Sequence, residues 1–215
     1  QHGTMAEAVG APFRCLAPKP ASLSWNEAGG LPLAGLTAYQ ALTEALGLQA
    51  GQTLFVSAAS GGVGSFAVQL ARVLGAQVVG TTSASHADWV GSLGAEPVDY
   101  TGGDVVAQVR ARHPQGVDAV LDLVGGDSLA QAPELLADGG RLASVVDPVT
   151  VGRLGGRYVF VRPESAHLEA LGDLATEGKL GVWVEEAYPL DEAGAALQRL
   201  ADGHVQGKLV VQVST

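Results

Sequence analysis

From residue 53 onward, short apolar runs alternate with stretches in which apolar side chains recur every three or four positions. Residues 53–58 predict a buried strand, because β-branched and aromatic side chains stand together just before a glycine-rich turn. Residues 66–74 have apolar side chains at helical spacing, and Gly75 is well placed to end that helix. Further strands are predicted at 77–81, 97–100, 117–123 and 140–146, and further helices at 86–93, 104–112 and 128–137.

Repeated β–α units with continuously apolar strands indicate a parallel sheet with helices on both faces. We therefore predict one doubly wound α/β domain over residues 33–175. The two ends of the chain do not follow the alternation, and we assign residues 1–32 and 176–215 to parts of a second, smaller lobe. Candidate elements in these ends are strands at 5–9, 13–16, 182–184 and 208–213 and a helix at 191–201.

The composition narrows the class of protein. Hydrophobic residues make up 47% of the 215 residues and charged residues only 16%, a balance that excludes intrinsic disorder. The formal charge is −10, from 22 acidic against 12 basic side chains. Such a surface repels phosphate backbones, so no nucleic-acid partner is predicted. No apolar run approaches the ~20 residues of a membrane span, and the single cysteine, Cys15, fits a reducing cytoplasmic setting.

The turn after the first predicted strand is the most informative segment. Ala59, Gly61 and Gly64 occupy the three positions of the G-x-G-x-x-G dinucleotide fingerprint, between a strand and a helix. Glycine at 61 allows backbone N–H groups to approach a pyrophosphate, and glycine at 64 allows the helix to pack near the strand. The start of the helix also favours an anion. A tight strand-to-helix turn without any ligand is the alternative interpretation.

The end of the second strand bears on the choice of nucleotide. An NAD-binding unit usually has an acidic residue about 20 positions further on, which accepts hydrogen bonds from the ribose 2′-hydroxyl. Residues 81–86 supply hydroxyls and one imidazole there, and the first acid is Asp88. Because a carboxylate would repel a 2′-phosphate, whereas Ser83 and His86 can donate hydrogen bonds to one, we predict NADP(H) rather than NAD(H). Alternatively, Ser83 only caps the following helix and His86 is a solvated surface residue.

Several further segments resemble one family, the zinc-independent quinone oxidoreductases and enoyl reductases of the medium-chain dehydrogenase/reductase superfamily, which include zeta-crystallin. The resemblance lies in residues 31–39, in the turn at 59–64 with the helix segment 67–71, and in shorter stretches in the family's order. Those stretches are 93–95, 122–126, 139–142, 188–190 and 207–210. The resemblance implies a Rossmann domain with part of a GroES-like, β-rich substrate lobe, whose N-terminal part is absent from this sequence.

The resemblance also implies a set of cofactor-binding residues. The pyrophosphate would be held by Ser60, Gly61, Gly62 and Val63. Tyr100 would lie beside the 2′-phosphate or the adenosine ribose, Lys208 would lie near the cofactor cleft, and the family usually has Lys where this sequence has His86. The ribose and nicotinamide would be lined by Thr37, Val124, Ser144, Val145, Val146, Phe160 and Val161. An ordinary core position in an α/β protein is the alternative for Val145, Val146, Phe160 and Val161.

The resemblance implies hydride transfer from NADP(H) to a small-molecule electrophile, a quinone or an α,β-unsaturated carbonyl, in a homodimer joined at an edge strand at 158–161. No metal is predicted, because zinc-dependent relatives have a Cys ligand where this sequence has Leu33. The histidines other than His86 show no ligand spacing, and no catalytic acid or base is assigned. Two alternatives stay open: a nucleotide-binding module without turnover, and a zinc-type alcohol dehydrogenase, which Leu33 disfavours.

Overall fold

The computed structural model describes residues 4–213, and its centre is a six-stranded sheet. The strands are β1 (Thr53–Val56), β2 (Gln77–Thr82), β3 (Glu96–Asp99), β4 (Val117–Asp122), β5 (Leu136–Ser144) and β6 (Arg157–Tyr158). They lie in the order β3-β2-β1-β4-β5-β6, and every neighbouring pair is parallel. This is the strand order of doubly wound dinucleotide-binding folds, so the predicted fold class is confirmed.

Nine α-helices occur within residues 4–213, several of them ending where the sequence predicts. They are α1 (Trp25–Gly30), α2 (Pro32–Gln40), α3 (Gly62–Val73), α4 (Ala87–Leu93), α5 (Val105–Arg112), α6 (Gly126–Leu135), α7 (Pro148–Arg153), α8 (Ser165–Thr176) and α9 (Ala193–Ala201). Asp104 caps α5 by accepting a hydrogen bond from the N–H of Ala107, at 3.1 Å. Gly94 ends α4 in the left-handed region with φ of +99°, a conformation that glycine adopts without strain.

The core has two layers, one on each face of the sheet. Leu54 and Val56 pack with helices α2, α3 and α8 on one face. Phe55 lies between them in the chain and points to the opposite face, where it packs with α5, α6 and α7. A strand that is buried on both faces shows no polar alternation, which is why β1 appears in the sequence as a continuous apolar run.

The two ends of the chain differ from the predicted elements. Residues 4–24 contain no strand, so the strand candidates at 5–9 and 13–16 are wrong, and Phe13–Cys15 is a single turn of 3-10 helix. Prolines in this segment lack the N–H that a strand ladder needs. At the other end, β7 (Val184–Pro189) and β8 (Lys208–Gln212) form a separate parallel pair that contacts α1. The assignment of these ends to a second lobe stays a prediction.

The edge of the main sheet is shorter than predicted. β6 covers only Arg157 and Tyr158, rather than residues 158–161, because only one further ladder bond follows, from the N–H of Val159 to the carbonyl of Ser144.

Across residues 4–213, no helix combines the length and the apolar character that crossing a lipid bilayer requires.

Candidate functional site

The turn between β1 and α3 is held against β2 in a conformation that only small residues permit. Ala58 has φ of +51°, and its N–H donates to the hydroxyl of Thr81 at 2.9 Å, while the N–H of Ala59 donates to the Thr81 carbonyl at 2.8 Å. A methyl group at Gly64 would lie 2.8 Å from the Cα of Ala59 and closer still to the carbonyl oxygen of Ala58. The predicted role of glycine 64, close packing of the helix on the strand, is therefore present in the structure.

This turn presents unpaired donors at the carboxyl edge of the sheet. Within residues 4–213, the N–H groups of Ser60, Gly62 and Val63 have no hydrogen-bond acceptor. The N–H of Gly61 instead closes the turn by donating to Ala58 at 3.0 Å. The first N–H groups of a helix lack partners within it, and together with the helix dipole they attract anions. The arrangement suits a phosphate.

The C-terminal segment closes over the same turn. The N–H of Gly207 donates to the carbonyl of Ser60 at 2.9 Å. A methyl group at Gly62 would lie 2.9 Å from Cδ and 3.2 Å from Nζ of Lys208, so the lysine side chain lies against the unpaired N–H groups. Burial lowers the pKa of Lys208 from its ordinary value. A partly buried ammonium group beside a helix start adds a positive charge to the phosphate-binding geometry.

A polar cluster lies at the end of β2, where the sequence predicts the nucleotide preference. The hydroxyl of Ser83 is 2.9 Å from the Ser85 hydroxyl and 3.5 Å from Nδ1 of His86. Tyr100 lies alongside, because its N–H donates to the carbonyl of Thr82 at 3.2 Å. The structure thus places Tyr100, which the resemblance assigns to the 2′-phosphate or the adenosine ribose, next to Ser83 and His86. Ser83 makes no side-chain cap to the helix that follows, so the alternative interpretation of Ser83 as a capping residue is wrong.

One carboxylate also lies beside this cluster. Asp99, at the end of β3, is paired in register with Thr82. Its side chain accepts hydrogen bonds from the hydroxyl and the N–H of Thr101, at 2.7 and 2.8 Å, and these bonds lower the pKa of the Asp99 carboxyl. This neighbour of the end of β2 is not predictable from local spacing, because Asp99 is 17 positions further along the chain than Thr82.

Beyond β4, β5 and β6, exposed apolar side chains line the carboxyl edge of the sheet. Val124 and Val146 are about half exposed, and Phe160 is 77% exposed. An interior role is therefore wrong for Val146 and Phe160, whereas Val145 and Val161 are half-buried and contact the core. Apolar groups left open at the switch point of a doubly wound sheet are typical of a ligand cleft.

Beneath this edge, a buried carboxylate joins the ends of three strands. Asp122 accepts hydrogen bonds from the hydroxyl of Ser144 at 2.8 Å, from Ser57 at 3.3 Å and from the N–H of Gly125 at 3.1 Å. The Ser144 hydroxyl in turn accepts from the N–H of Val146 at 3.1 Å. Ser144 is fully buried, so its hydroxyl supports the cleft from below.

Leu33 on α2 supplies no ligand for a catalytic zinc ion. The family resemblance places Leu33 at the position of a zinc ligand in zinc-dependent relatives, and this side chain is 69% exposed and has no atom that binds a metal. The thiol of Cys15 lies half-buried in the 3-10 turn before α1. The hydroxyl of Thr37 donates to the Leu33 carbonyl at 2.7 Å, so towards a ligand it can only accept a hydrogen bond.

A cluster that the sequence did not indicate lies where α2 meets α8. Glu44, Glu164 and His167 bring possible metal-ligating atoms within 4.8 Å of one another. The guanidinium group of Arg162 is 2.7 Å from Glu44 and 4.0 Å from Glu164, so a cationic side chain already balances the two acids. No spacing rule finds this cluster, because Glu44 is more than a hundred positions from Glu164 and His167 in the chain.

The geometry described so far is that of a doubly wound dinucleotide-binding fold with unpaired N–H groups at the turn between β1 and α3. Comparisons with known proteins identify the family. The sequence profile of the family described as zinc-binding dehydrogenase matches residues 93–211. The chain is 32% identical to the chloroplast envelope quinone oxidoreductase homolog of Arabidopsis thaliana, over 98% of this chain and 69% of the relative. The chain therefore belongs to the zinc-binding dehydrogenase family, within the medium-chain dehydrogenase/reductase superfamily, as the resemblance implied.

Solved structures agree with this membership. The quinone oxidoreductase from Coxiella burnetii superposes with a TM-score of 0.84 and 35% identity, over 92% of this chain and 64% of that one. A structure named as an NAD-dependent alcohol dehydrogenase superposes with a TM-score of 0.88 and 33% identity, over 100% of this chain and 66% of that one. Enoyl reductases are also among the proteins that match. The chain spans 62–69% of the length of the curated relatives it matches.

Proposed function

We propose that this chain is the cofactor-binding part of an NADPH-dependent oxidoreductase that reduces a quinone or an α,β-unsaturated carbonyl without zinc. The observation that carries the proposal is the group of unpaired N–H groups at Ser60, Gly62 and Val63, with the ammonium group of Lys208 beside them. For a chain with a formal charge of −10, such a local site is what allows a multiply charged anion to bind.

The residues have separate tasks along the cleft. The N–H groups of the turn would donate to the diphosphate, and Lys208 would neutralise part of its charge. The free backbone of Phe160 and Val161 would pair with the carboxamide, as the family resemblance implies. When bound, the reduced nicotinamide supplies a hydride. The exposed apolar side chains Val124 and Val146 would exclude water around the reacting carbon.

The substrate class follows from what the chain offers and from its relatives. A quinone or an enone delocalises the charge that hydride addition creates, so it does not need a Lewis acid, and Leu33 supplies none. The hydroxyl proton of Thr37 is engaged within its helix, so we assign protonation of the product to solvent or to a part of the protein outside this sequence. Relatives named quinone oxidoreductase and enoyl reductase support this choice.

The preference for NADPH over NADH rests on the cluster at the end of β2. Ser83 and His86 offer donors to a 2′-phosphate, and β2 itself ends without an acid. Asp99 is the opposing feature, since a carboxylate repels a 2′-phosphate. We expect Ser83, His86 and Tyr100 to outweigh this repulsion.

The exposed edge at β6 bears on the oligomeric state of the protein, and its single cysteine bears on its location in the cell. We propose a homodimer in which the exposed β6 edge pairs with a second copy, because an open sheet edge with exposed Tyr158 needs cover. The molar mass from light scattering tests this dimer. No nucleic acid or membrane partner is proposed. A cytoplasmic location is proposed on the single cysteine, and cell fractionation tests it, since one relative is named for the chloroplast envelope.

Parallel titrations with NADPH and NADH, followed by cofactor fluorescence, test the proposal, and NADPH consumption with a simple quinone tests turnover. The expected result is tighter binding of NADPH, with a selective loss of NADPH affinity in Ser83→Ala and His86→Ala. Ser92→Ala on α4 is the matched control, because its exposed hydroxyl donates only to the Trp89 carbonyl. Tighter binding of NADH contradicts the cofactor assignment. Binding of NADPH without turnover of any quinone or enone supports a nucleotide-binding module instead.

A further inference from the structure

The segment that follows β6 is anchored at both ends and free in the middle. At its start, the N–H of Val159 donates to the carbonyl of Ser144 at 2.9 Å. At its end, both backbone polar groups of Arg162 pair with one side chain. Between these anchors, the N–H and C=O groups of Phe160 and Val161 form no hydrogen bond with any part of the chain that the structure describes. These groups are available to a ligand.

The side chain that anchors the far end is Gln40. Its Oε1 accepts a hydrogen bond from the N–H of Arg162 at 2.9 Å, and its Nε2 donates to the carbonyl of Arg162, also at 2.9 Å. Gln40 is the last residue of α2 and is only 2% exposed. Its amide therefore supplies Arg162 with one hydrogen-bond acceptor and one donor, as the peptide group of a neighbouring strand does in a sheet.

The surroundings of Gln40 keep its amide in place. The second hydrogen of Nε2 points at Nδ1 of His167, 3.3 Å away, so both polar atoms of the amide are used. The next residue begins a π-helical turn, Ala41–Ala45, a feature that is frequent at functional sites. The ion pair of Arg162 with Glu44 is a second link, but both side chains are well exposed, and such pairs contribute little. The buried amide is the principal anchor.

We infer that Gln40 is a positioning residue for the nicotinamide end of the cofactor. This inference rests on the proposed function, in which the backbone of Phe160 and Val161 binds the carboxamide. Gln40 does not touch the cofactor in this arrangement. It fixes Arg162 and thereby the direction of the free N–H and C=O groups in the two residues before it. Its influence is confined to the nicotinamide, because the phosphates bind at the start of α3.

Two ligands that differ only at the nicotinamide end test the inference. Binding of NADPH and of 2′-phospho-ADP-ribose, which lacks the nicotinamide, is measured by calorimetry on the full 215-residue chain. Gln40→Ala is expected to weaken NADPH binding about tenfold, in line with the loss of hydrogen bonds to a required backbone, and to leave the fragment's affinity within about twofold. The blue shift of bound NADPH fluorescence is expected to diminish as well.

The chain provides a matched control and a second variant. Gln69 on α3 pairs with Gly181 in the same two-bond manner, at 2.7 and 3.1 Å, away from Phe160, so Gln69→Ala is expected to affect both ligands equally. Gln40→Met keeps the length of the side chain and loses both hydrogen bonds to Arg162, so a selective loss of NADPH affinity like that of Gln40→Ala is expected. It decides the question if Gln40→Ala does not fold, as circular dichroism would show.

The outcomes separate the inference from the proposed function. An equal loss for both ligands in the Gln40 variants, or no loss for either, overturns the positioning role. A wild-type chain that binds the two ligands equally tightly also overturns it, because the nicotinamide then contributes no affinity, yet NADP(H) binding stands. A wild-type chain that binds neither ligand contradicts the proposed function itself.

Discussion

Replacing Gly64 by alanine tests whether the start of α3 is pressed against the phosphate-binding turn. The added methyl group would lie 2.8 Å from the Cα of Ala59 and nearer still to the carbonyl oxygen of Ala58. Both neighbours are main-chain atoms, so no side-chain rotation relieves the contact, and the helix start must move by about 1 Å. That shift carries the fully buried side chains of Phe66 and Val68 with it.

The size of the effect follows from two opposing contributions. Overpacking lowers the free energy of unfolding by about 3 kcal/mol at the upper end of its usual range. The better helix propensity of alanine offsets at most about 1 kcal/mol of this loss. We expect a net loss of about 2 kcal/mol in the free energy of unfolding, which lowers the melting temperature by about 4–8 °C for a chain of this size. Urea denaturation followed by tryptophan fluorescence measures the loss.

Gly91→Ala in α4 is the matched control. A methyl group at Gly91 meets no atom within 4 Å, so the helix propensity acts alone, and we expect stabilisation by about 0.5–1 kcal/mol. If Gly64→Ala is as stable as wild type, or gains stability as Gly91→Ala does, the turn is not shaped by contact with the helix. The start of α3 is then not held in the position that phosphate binding at this turn requires.

Two further predictions concern charged groups of the cleft. Because burial lowers the pKa of Lys208, NADPH affinity should fall as pH rises through that lowered pKa and the ammonium group loses its charge, whereas the stability of the free protein should rise over the same interval. In calorimetry, Lys208→Gln should bind about tenfold more weakly at pH 7 and lose this pH dependence, and an unchanged pH profile would contradict the contact. Asp122→Asn should lower the free energy of unfolding by about 2–4 kcal/mol, because an amide nitrogen would face donors from Ser144 or Gly125. In a double-mutant cycle with Ser144→Ala, a coupling energy above about 0.5 kcal/mol is expected, and strict additivity would disprove the shared hydrogen bond.

The sequence predicts the centre of the main sheet well because β1, β2 and β4 are buried on both faces. Such strands are continuous apolar runs, and the turns between them carry strong signals such as Gly75 and Gly94. β7 shows the opposite case. We predict a strand at 182–184, but the strand spans Val184–Pro189, where most side chains are exposed and two are glutamates. Without a buried face, nothing in the pattern marks its position.

The candidate site divides in the same way. The proposed phosphate-binding turn is predictable because its glycines lie within four positions of the chain and follow a strand. The contact between Gln40 and Arg162 joins residues 122 positions apart, so it depends on the tertiary fold rather than on local spacing. Asp99 is similar, since only the register of β3 against β2 reveals that it neighbours Thr82.

The close approach of Ala59 to Gly80 also constrains how this turn can change by mutation. The sequence has alanine where the fingerprint has its first glycine, and the opposite strand has no side chain at Gly80. A methyl group there would lie 2.5 Å from the methyl of Ala59. There is thus room for a methyl group at residue 59 or at residue 80, but not at both. The two substitutions that exchange alanine and glycine between these positions can therefore occur only in a fixed order. Ala59→Gly must come first, because Gly80→Ala alone passes through a poorly folded intermediate sequence.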